Sequence, residues 1–148
     1  MDIYEDLITK SENEINRMSP LTWAYVGDAV YEENIRIYLA NNTNLNPHNM
    51  HVISIKYVKA EKQARLLEEM INTKFLTEEE IEIAKRGRNV QNHHIPKHAS
   101  LKDYSYSTAF EAVIGYLYLI KKNDRVKEII DKCLDILGKD NKWKNQNY

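Results

Sequence analysis

Apolar positions along the chain recur at helical spacing, and no stretch shows the alternation of a half-buried strand. In "SPLTWAYVGDAVYEENIRIYL" (19–39), Leu21, Ala24, Tyr25, Asp28, Tyr31, Glu32 and Ile35 fall on adjoining i+3/i+4 positions. Ser19-Pro20 is a cap followed by proline at the first helical position, which predicts a helix to about Ala40, where "NNTNLN" stops it. Asn46-Pro47 repeats the device and predicts one long helix to about Ile71. Thr77 followed by Glu80 is a capping box for a helix ending near Gly87. A fourth helix is expected from Tyr104 or Ser105 to Lys121, and a fifth from Asp124 to Leu137, closed by Gly138. With a short helix near residues 2 to 9, the pattern predicts an all-α fold. One domain is expected over 1–138, followed by a polar tail, 139–148.

Two positions break the pattern in the same way. Asp28 sits between "AYVG" and "AVY", beside a mid-helix glycine that costs roughly 1 kcal/mol relative to alanine. Glu111 is the one carboxylate in "YSYSTAFEAVIGYLYLI", with Thr108 three residues before it and Gly115 four after. Ala109, Phe110, Val113, Leu117 and Ile120 form the broad apolar side of that helix, and Thr108, Glu111, Gly115 and Tyr118 a more polar stripe. Two helices that each present an acid beside a side-chain-free position can pack closely enough to share a cation. Mg²⁺ typically takes one or two carboxylates together with water and substrate phosphates. On the residues alone, each acid could equally cap or pair something local, and Glu32, one turn from Asp28, could simply face water.

Composition changes this picture little. At 148 residues the chain is long enough for a core without staples, and the single Cys133, in "KEIIDKCLDIL", reads as a small core hydrophobe. No apolar run approaches the roughly 18 residues of a membrane span, and the first ten residues are acidic where a signal peptide is basic. A cytoplasmic protein without a membrane association is the expectation. The formal net charge is only −1, but it is segregated. "AKRGRNVQNHHIPKHASLK" (84–102) carries five Lys/Arg and three His with no carboxylate, whereas Met1 to Arg17 holds five carboxylates against two basic residues.

"GDAVYE", "KRGRN" and "YSTAFEAVIGYLYL", in this order, resemble the ribonuclease III catalytic domain and, more closely, the Mini-III ribonucleases, the bacterial branch consisting of that domain alone. The similarity runs from about Ser19 to Leu137. It implies hydrolysis of double-stranded RNA to 5′-phosphate and 3′-hydroxyl ends, with Asp28 and Glu111 as the catalytic, metal-binding pair and Mg²⁺, or Mn²⁺ in its place, as the cofactor. It also implies maturation of precursor 23S ribosomal RNA, assisted by a large-subunit ribosomal protein. Full-length ribonuclease III has further carboxylates where this chain has Leu21, Ala24 and Thr108, so only Asp28 and Glu111 match its acidic set, a reduction that Mini-III enzymes share. Thr108 could hold a water of the cation's shell or simply bond back to the previous turn of its helix.

Duplex RNA is read mainly through phosphates and 2′-hydroxyls. The stretch from Lys85 to Lys97 suits such contacts, with Lys85, Arg86, Arg88 and Lys97 as candidate RNA-binding residues, against the alternative of a solvated loop whose cations favour a helix dipole. His93, His94 and His98 lack a neighbouring cysteine or acid at zinc-ligand spacing. Lys56, Lys59 and Gln63 form a second, weaker candidate surface on the long helix. Two cuts in a duplex call for two active sites and hence a two-fold homodimer. By the resemblance, Tyr25 stands at its interface; read alone, it could be a core aromatic. A non-catalytic RNA-binding or ribosome-assembly module and a metal-dependent nucleotide phosphohydrolase remain as other function classes. Cleavage of duplex RNA discriminates the first, turnover of small nucleotides the second.

Overall fold

The computed structural model describes residues 7–90 and 100–139. These form seven helices and no strand: α1 (Glu12–Asn16), α2 (Pro20–Asn42), α3 (Pro47–Val58), α4 (Ala60–Asn72), α5 (Glu78–Asn89), α6 (Leu101–Leu119) and α7 (Asn123–Lys139). The all-α expectation holds.

Helix α6 is the axis of the fold, with α2, α4 and α5 packed around it and α7 and α1 against its flanks. Its sequence explains the position. From Ser107 to Leu117 every residue except Glu111 is buried, and a helix that is apolar nearly all round must be enclosed by others. The polar stripe expected on α6 therefore does not face water: Thr108 and Gly115 are buried against neighbouring helices.

Helices α2 and α6 cross backbone to backbone. A Cβ on Gly27 would lie 1.8 Å from the Glu111 carbonyl oxygen, and one on Gly115 would lie 1.8 Å from the Trp23 carbonyl oxygen. Each glycine is the gap that receives the other helix. Around this contact, Trp23 meets Tyr116 and Tyr31 meets Phe110 edge to face, both at 5.0 Å between ring centroids.

The chain departs from the sequence expectation in several places. The long helix expected from Pro47 to Ile71 is two helices, broken at Lys59, whose ψ of 144° is extended. The apolar stripe Ile53, Tyr57, Ala64, Leu67 keeps helical phase through the break, so periodicity conceals it. The break serves packing, since α3 lies on α2 while α4 turns onto α6. Helix α1 is an addition to the expected set, although Ser11 and Glu14 form its capping box. The helix expected near residues 2 to 9 falls mostly outside the described residues, and residues 8 and 9 are not helical. Ser100, rather than Tyr104 or Ser105, marks the start of α6 and accepts a hydrogen bond from the Asp103 N–H. Gly138 does not close α7, which continues through Lys139.

Thr77 and Glu80 do form the expected capping box. Glu80 also anchors α7, because Arg125 donates to both of its oxygens at 2.8 Å and to the Phe75 carbonyl. Burial alone would raise the Glu80 carboxyl, but Arg125 and the Thr77 N–H hold it below the usual carboxylate range. Cys133 is fully buried in the core, which also pushes its thiol up.

Candidate active site

The α2–α6 crossing carries the two singled-out acids. Gly27 touches the Glu111 backbone, and Asp28 is the next residue on α2. The side chains of Asp28 and Glu111 are hydrogen-bonded to each other. Asp28 is exposed, whereas Glu111 is half-buried. The glycine beside each acid is thus the local reason that the acids meet: with alanines at this crossing, the helices could not approach closely enough.

Burial pushes the Glu111 carboxyl up to about 9, with the Asp28 hydrogen bond and charge adding to the rise. A third side chain opposes this: Gln63 of α4 hydrogen-bonds Glu111 and lowers its proton affinity. Without a cation, Glu111 therefore favours its neutral form at neutral pH. Two acids brought this close repel each other when both are charged, and a cation between them relieves that repulsion.

The donor set fits a hard cation that keeps much of its own water. Among the described residues there is no cluster of three or more His, Cys, Asp or Glu side chains arranged as ligands. Two carboxylates at a solvent-facing crossing suit Mg²⁺ or Mn²⁺ with water and substrate oxygens, rather than a closed zinc site. Glu32 is not a third member, because it pairs with Arg36 at 2.8 Å. Thr108 is buried and its hydroxyl donates to the Tyr104 carbonyl at 3.0 Å, the back-bonded alternative.

Helix α5 brings its basic end to the same region. A Cβ on Gly87 would lie 2.9 Å from the Ala112 Cβ and 3.0 Å from the Ala109 Cα, so the last turns of α5 press on the α6 turn that carries Glu111. Lys85 and Arg88 are exposed there. Lys85 pairs with Glu82 of its own helix, and Arg88 donates to the adjacent Asn89 side chain. Arg86 is placed differently. Its guanidinium stacks 4.5 Å from the Trp23 ring and donates to the Asn16 carbonyl at 2.7 Å and to the Asn16 side chain, tying α1 to α2 and α5. Lys97 and the three histidines of that stretch lie outside the described residues.

The second candidate RNA surface loses Gln63. Lys56 and Lys59 are exposed, but Gln63 is 2 % exposed and belongs to the acid pair. The sequence did hold a signal for this. Gln63, Leu66, Leu67 and Met70 share one i, i+3, i+4, i+7 face, so Gln63 is a polar residue in an apolar stripe, as Asp28 is. Tyr25 is 82 % exposed on the outer side of α2, which removes the core-aromatic alternative.

Comparison with known proteins places these features. The ribonuclease III domain family matches residues 21–122. Mini-ribonuclease 3 of Staphylococcus aureus is 39 % identical over 129 residues, covering 87 % of this chain and 96 % of the relative. Mini-ribonuclease 3 of Clostridium tetani is 37 % identical over 139 residues, covering 93 % and 91 %. A crystal structure of a Fusobacterium nucleatum protein superposes with a TM-score of 0.72 at 32 % identity, covering 85 % of this chain and 98 % of that one.

Proposed function

The chain belongs to the ribonuclease III family, in its Mini-ribonuclease 3 branch, and is an endoribonuclease; from that premise we propose that it cuts double-stranded RNA with a divalent ion held by Asp28 and Glu111. The observation that carries this reading is the meeting of the Asp28 and Glu111 carboxyl groups at the glycine crossing of α2 and α6. Mg²⁺ is the ion proposed, with Mn²⁺ as a substitute, because two carboxylates leave most of the coordination shell to water and phosphate oxygens. Once bound, such an ion lowers the pKa of water and stabilises charge on the phosphodiester undergoing displacement.

The protein's own part is to bind and orient. Asp28 and Glu111 would hold the ion as carboxylate ligands, fixed in place by a rigid backbone contact between α2 and α6. Lys85 and Arg88, exposed on the helix whose Gly87 packs on the Glu111 turn, take neighbouring RNA phosphates, and Lys97 extends this contact. Arg86 contributes its positive field while its fork remains engaged by Asn16. The products are 5′-phosphate and 3′-hydroxyl ends, and the biological substrate is precursor 23S ribosomal RNA, presented with a large-subunit ribosomal protein. Two protomers pair about a two-fold axis through the outer face of α2, where exposed Tyr25 supplies an aromatic anchor three residues from Asp28. Residues 1–138 constitute the catalytic domain and 139–148 its polar tail.

The test is incubation of the purified protein with a long duplex RNA and with its single strands, in Mg²⁺ or in EDTA. Mg²⁺-dependent cutting of the duplex, with ligatable 5′-phosphate ends, is expected. Binding without cutting in any divalent ion would instead make the chain a non-catalytic RNA-binding module.

A further inference from the structure

Five polar or charged residues are buried among the described ones: Ser54, Gln63, Glu80, Ser107 and Thr108. The three hydroxyls bond back to carbonyls of their own helices, at His51 and Tyr104. Glu80 completes a helix cap and the Arg125 ion pair. Gln63 differs, because it is 2 % exposed on the face of α4 that packs against α6, where buried side-chain polar atoms all have partners, and its partner there is the Glu111 carboxyl.

A buried amide is costly to desolvate, and an apolar residue at this point of the Leu66, Leu67, Met70 face would serve the fold without that cost. The side chain is therefore better explained by what it holds. An amide N–H fixes one carboxylate oxygen and restricts rotation of the group, leaving the rest of its lone pairs to a cation. Its neutrality matters too. A lysine there would neutralise Glu111 and compete with the ion, whereas a carboxylate would add a third negative group beside Asp28 and Glu111.

We propose that Gln63 is a positioning residue that orients the Glu111 carboxylate for the divalent cation. This rests on the reading that Asp28 and Glu111 hold that cation. Hydrogen-bond partners of metal ligands typically contribute about 10- to 100-fold in metal affinity or activity.

The experiment measures Mn²⁺ affinity by electron paramagnetic resonance, with no RNA present, for the parent, Gln63→Met, Gln63→Leu and Glu111→Gln. Both Gln63 variants remove the donor while keeping an apolar side chain on the buried face. They are expected to fold at least as stably as the parent in EDTA and to bind Mn²⁺ about 10- to 100-fold more weakly. With duplex RNA, KM should be unchanged and kcat reduced at low Mg²⁺, recovering as Mg²⁺ is raised, which a packing defect would not produce. The proposal is overturned if both variants bind Mn²⁺ within twofold of the parent while Glu111→Gln loses it, or if both unfold. If Glu111→Gln itself keeps the parent's Mn²⁺ affinity, the underlying metal assignment fails and takes the proposal with it.

Discussion

Gly27→Ala isolates the contact on which the site is built. The new Cβ would stand 1.8 Å from the Glu111 carbonyl oxygen and 2.8 Å from the Gly115 nitrogen, both of them backbone atoms that no side-chain rotation can clear. Restoring an ordinary carbon–oxygen contact requires the helices to separate by about 1.6 Å. Overpacking of this kind costs roughly 1–3 kcal/mol or more, and the better helix propensity of alanine returns roughly 1 kcal/mol. The net expectation is a loss of about 2 kcal/mol, or a fall in Tm of roughly 4–8 °C for a domain of this size. Cleavage should drop further than stability does, because the same separation draws Glu111 away from Asp28, and a 1 Å error in a reacting constellation can cost about 100-fold. Urea denaturation of Gly27→Ala, Gly115→Ala and Gly87→Ala gives the assay. Gly115→Ala should match Gly27→Ala, since its Cβ meets the Trp23 carbonyl oxygen equally closely, and Gly87→Ala should be milder, since its nearest neighbour is the Ala112 Cβ at 2.9 Å. Helix propensity alone predicts that all three substitutions stabilise. A Gly27→Ala protein as stable as the parent would refute the backbone contact as the origin of the site.

Arg86→Gln should destabilise the fold by about 1–3 kcal/mol by removing the Asn16 and Trp23 contacts, whereas Arg88→Gln should stay within about 0.5 kcal/mol of the parent. In a salt titration of duplex-RNA binding, Arg88→Gln should nevertheless weaken affinity and flatten the slope; an unchanged slope would remove Arg88 from the RNA surface. Because the Glu111 pKa is raised in the fold, from 4.5 to about 9, its contribution to stability is whole below about 4.5 and is lost as pH rises towards 9. In EDTA, the stability of Glu111→Gln relative to the parent should therefore improve steadily across that window, and a pH-independent difference would contradict the raised Glu111 pKa. Over the same window, affinity for Mn²⁺ should rise with pH as the proton is displaced more easily. Tyr25→Glu should convert a species sedimenting at about twice the 17.5 kDa chain mass into a monomer, because pairing would strand a charge in a desolvated contact; a parent that is already monomeric would contradict the proposed interface.

The sequence discloses this protein unevenly, for physical reasons. The cap signals Ser19-Pro20, Asn46-Pro47 and Thr77 with Glu80 are local chemistry, and each lies where its helix begins. The Lys59 break involves neither glycine nor proline. It is set by α4 having to lie on α6, a tertiary demand that leaves the apolar period undisturbed. At the site, the acid-beside-glycine pattern at Asp28 and Glu111 is legible because a charge and a missing side chain both violate helix rules. Gln63 violates the same rules more quietly, as an uncharged amide in an apolar stripe, and its spacing groups it with Lys56 and Lys59 only on a helix that does not exist as one piece. Arg86 shows the opposite limit, since nothing in "KRGRN" distinguishes the arginine that clamps α1 from the arginine that faces solvent.

The most direct test of the account is single-turnover cleavage of a long duplex RNA by Asp28→Asn, Glu111→Gln and the double variant at saturating protein and Mg²⁺. Each substitution keeps side-chain shape and removes one ligand charge. Each alone should abolish most cleavage while circular dichroism stays that of the parent, and the double variant should be hardly worse than either single one, because both disable one unit. Near-parental cleavage by either variant, joined to lower stability in EDTA, would make the pair a structural contact and contradict the account.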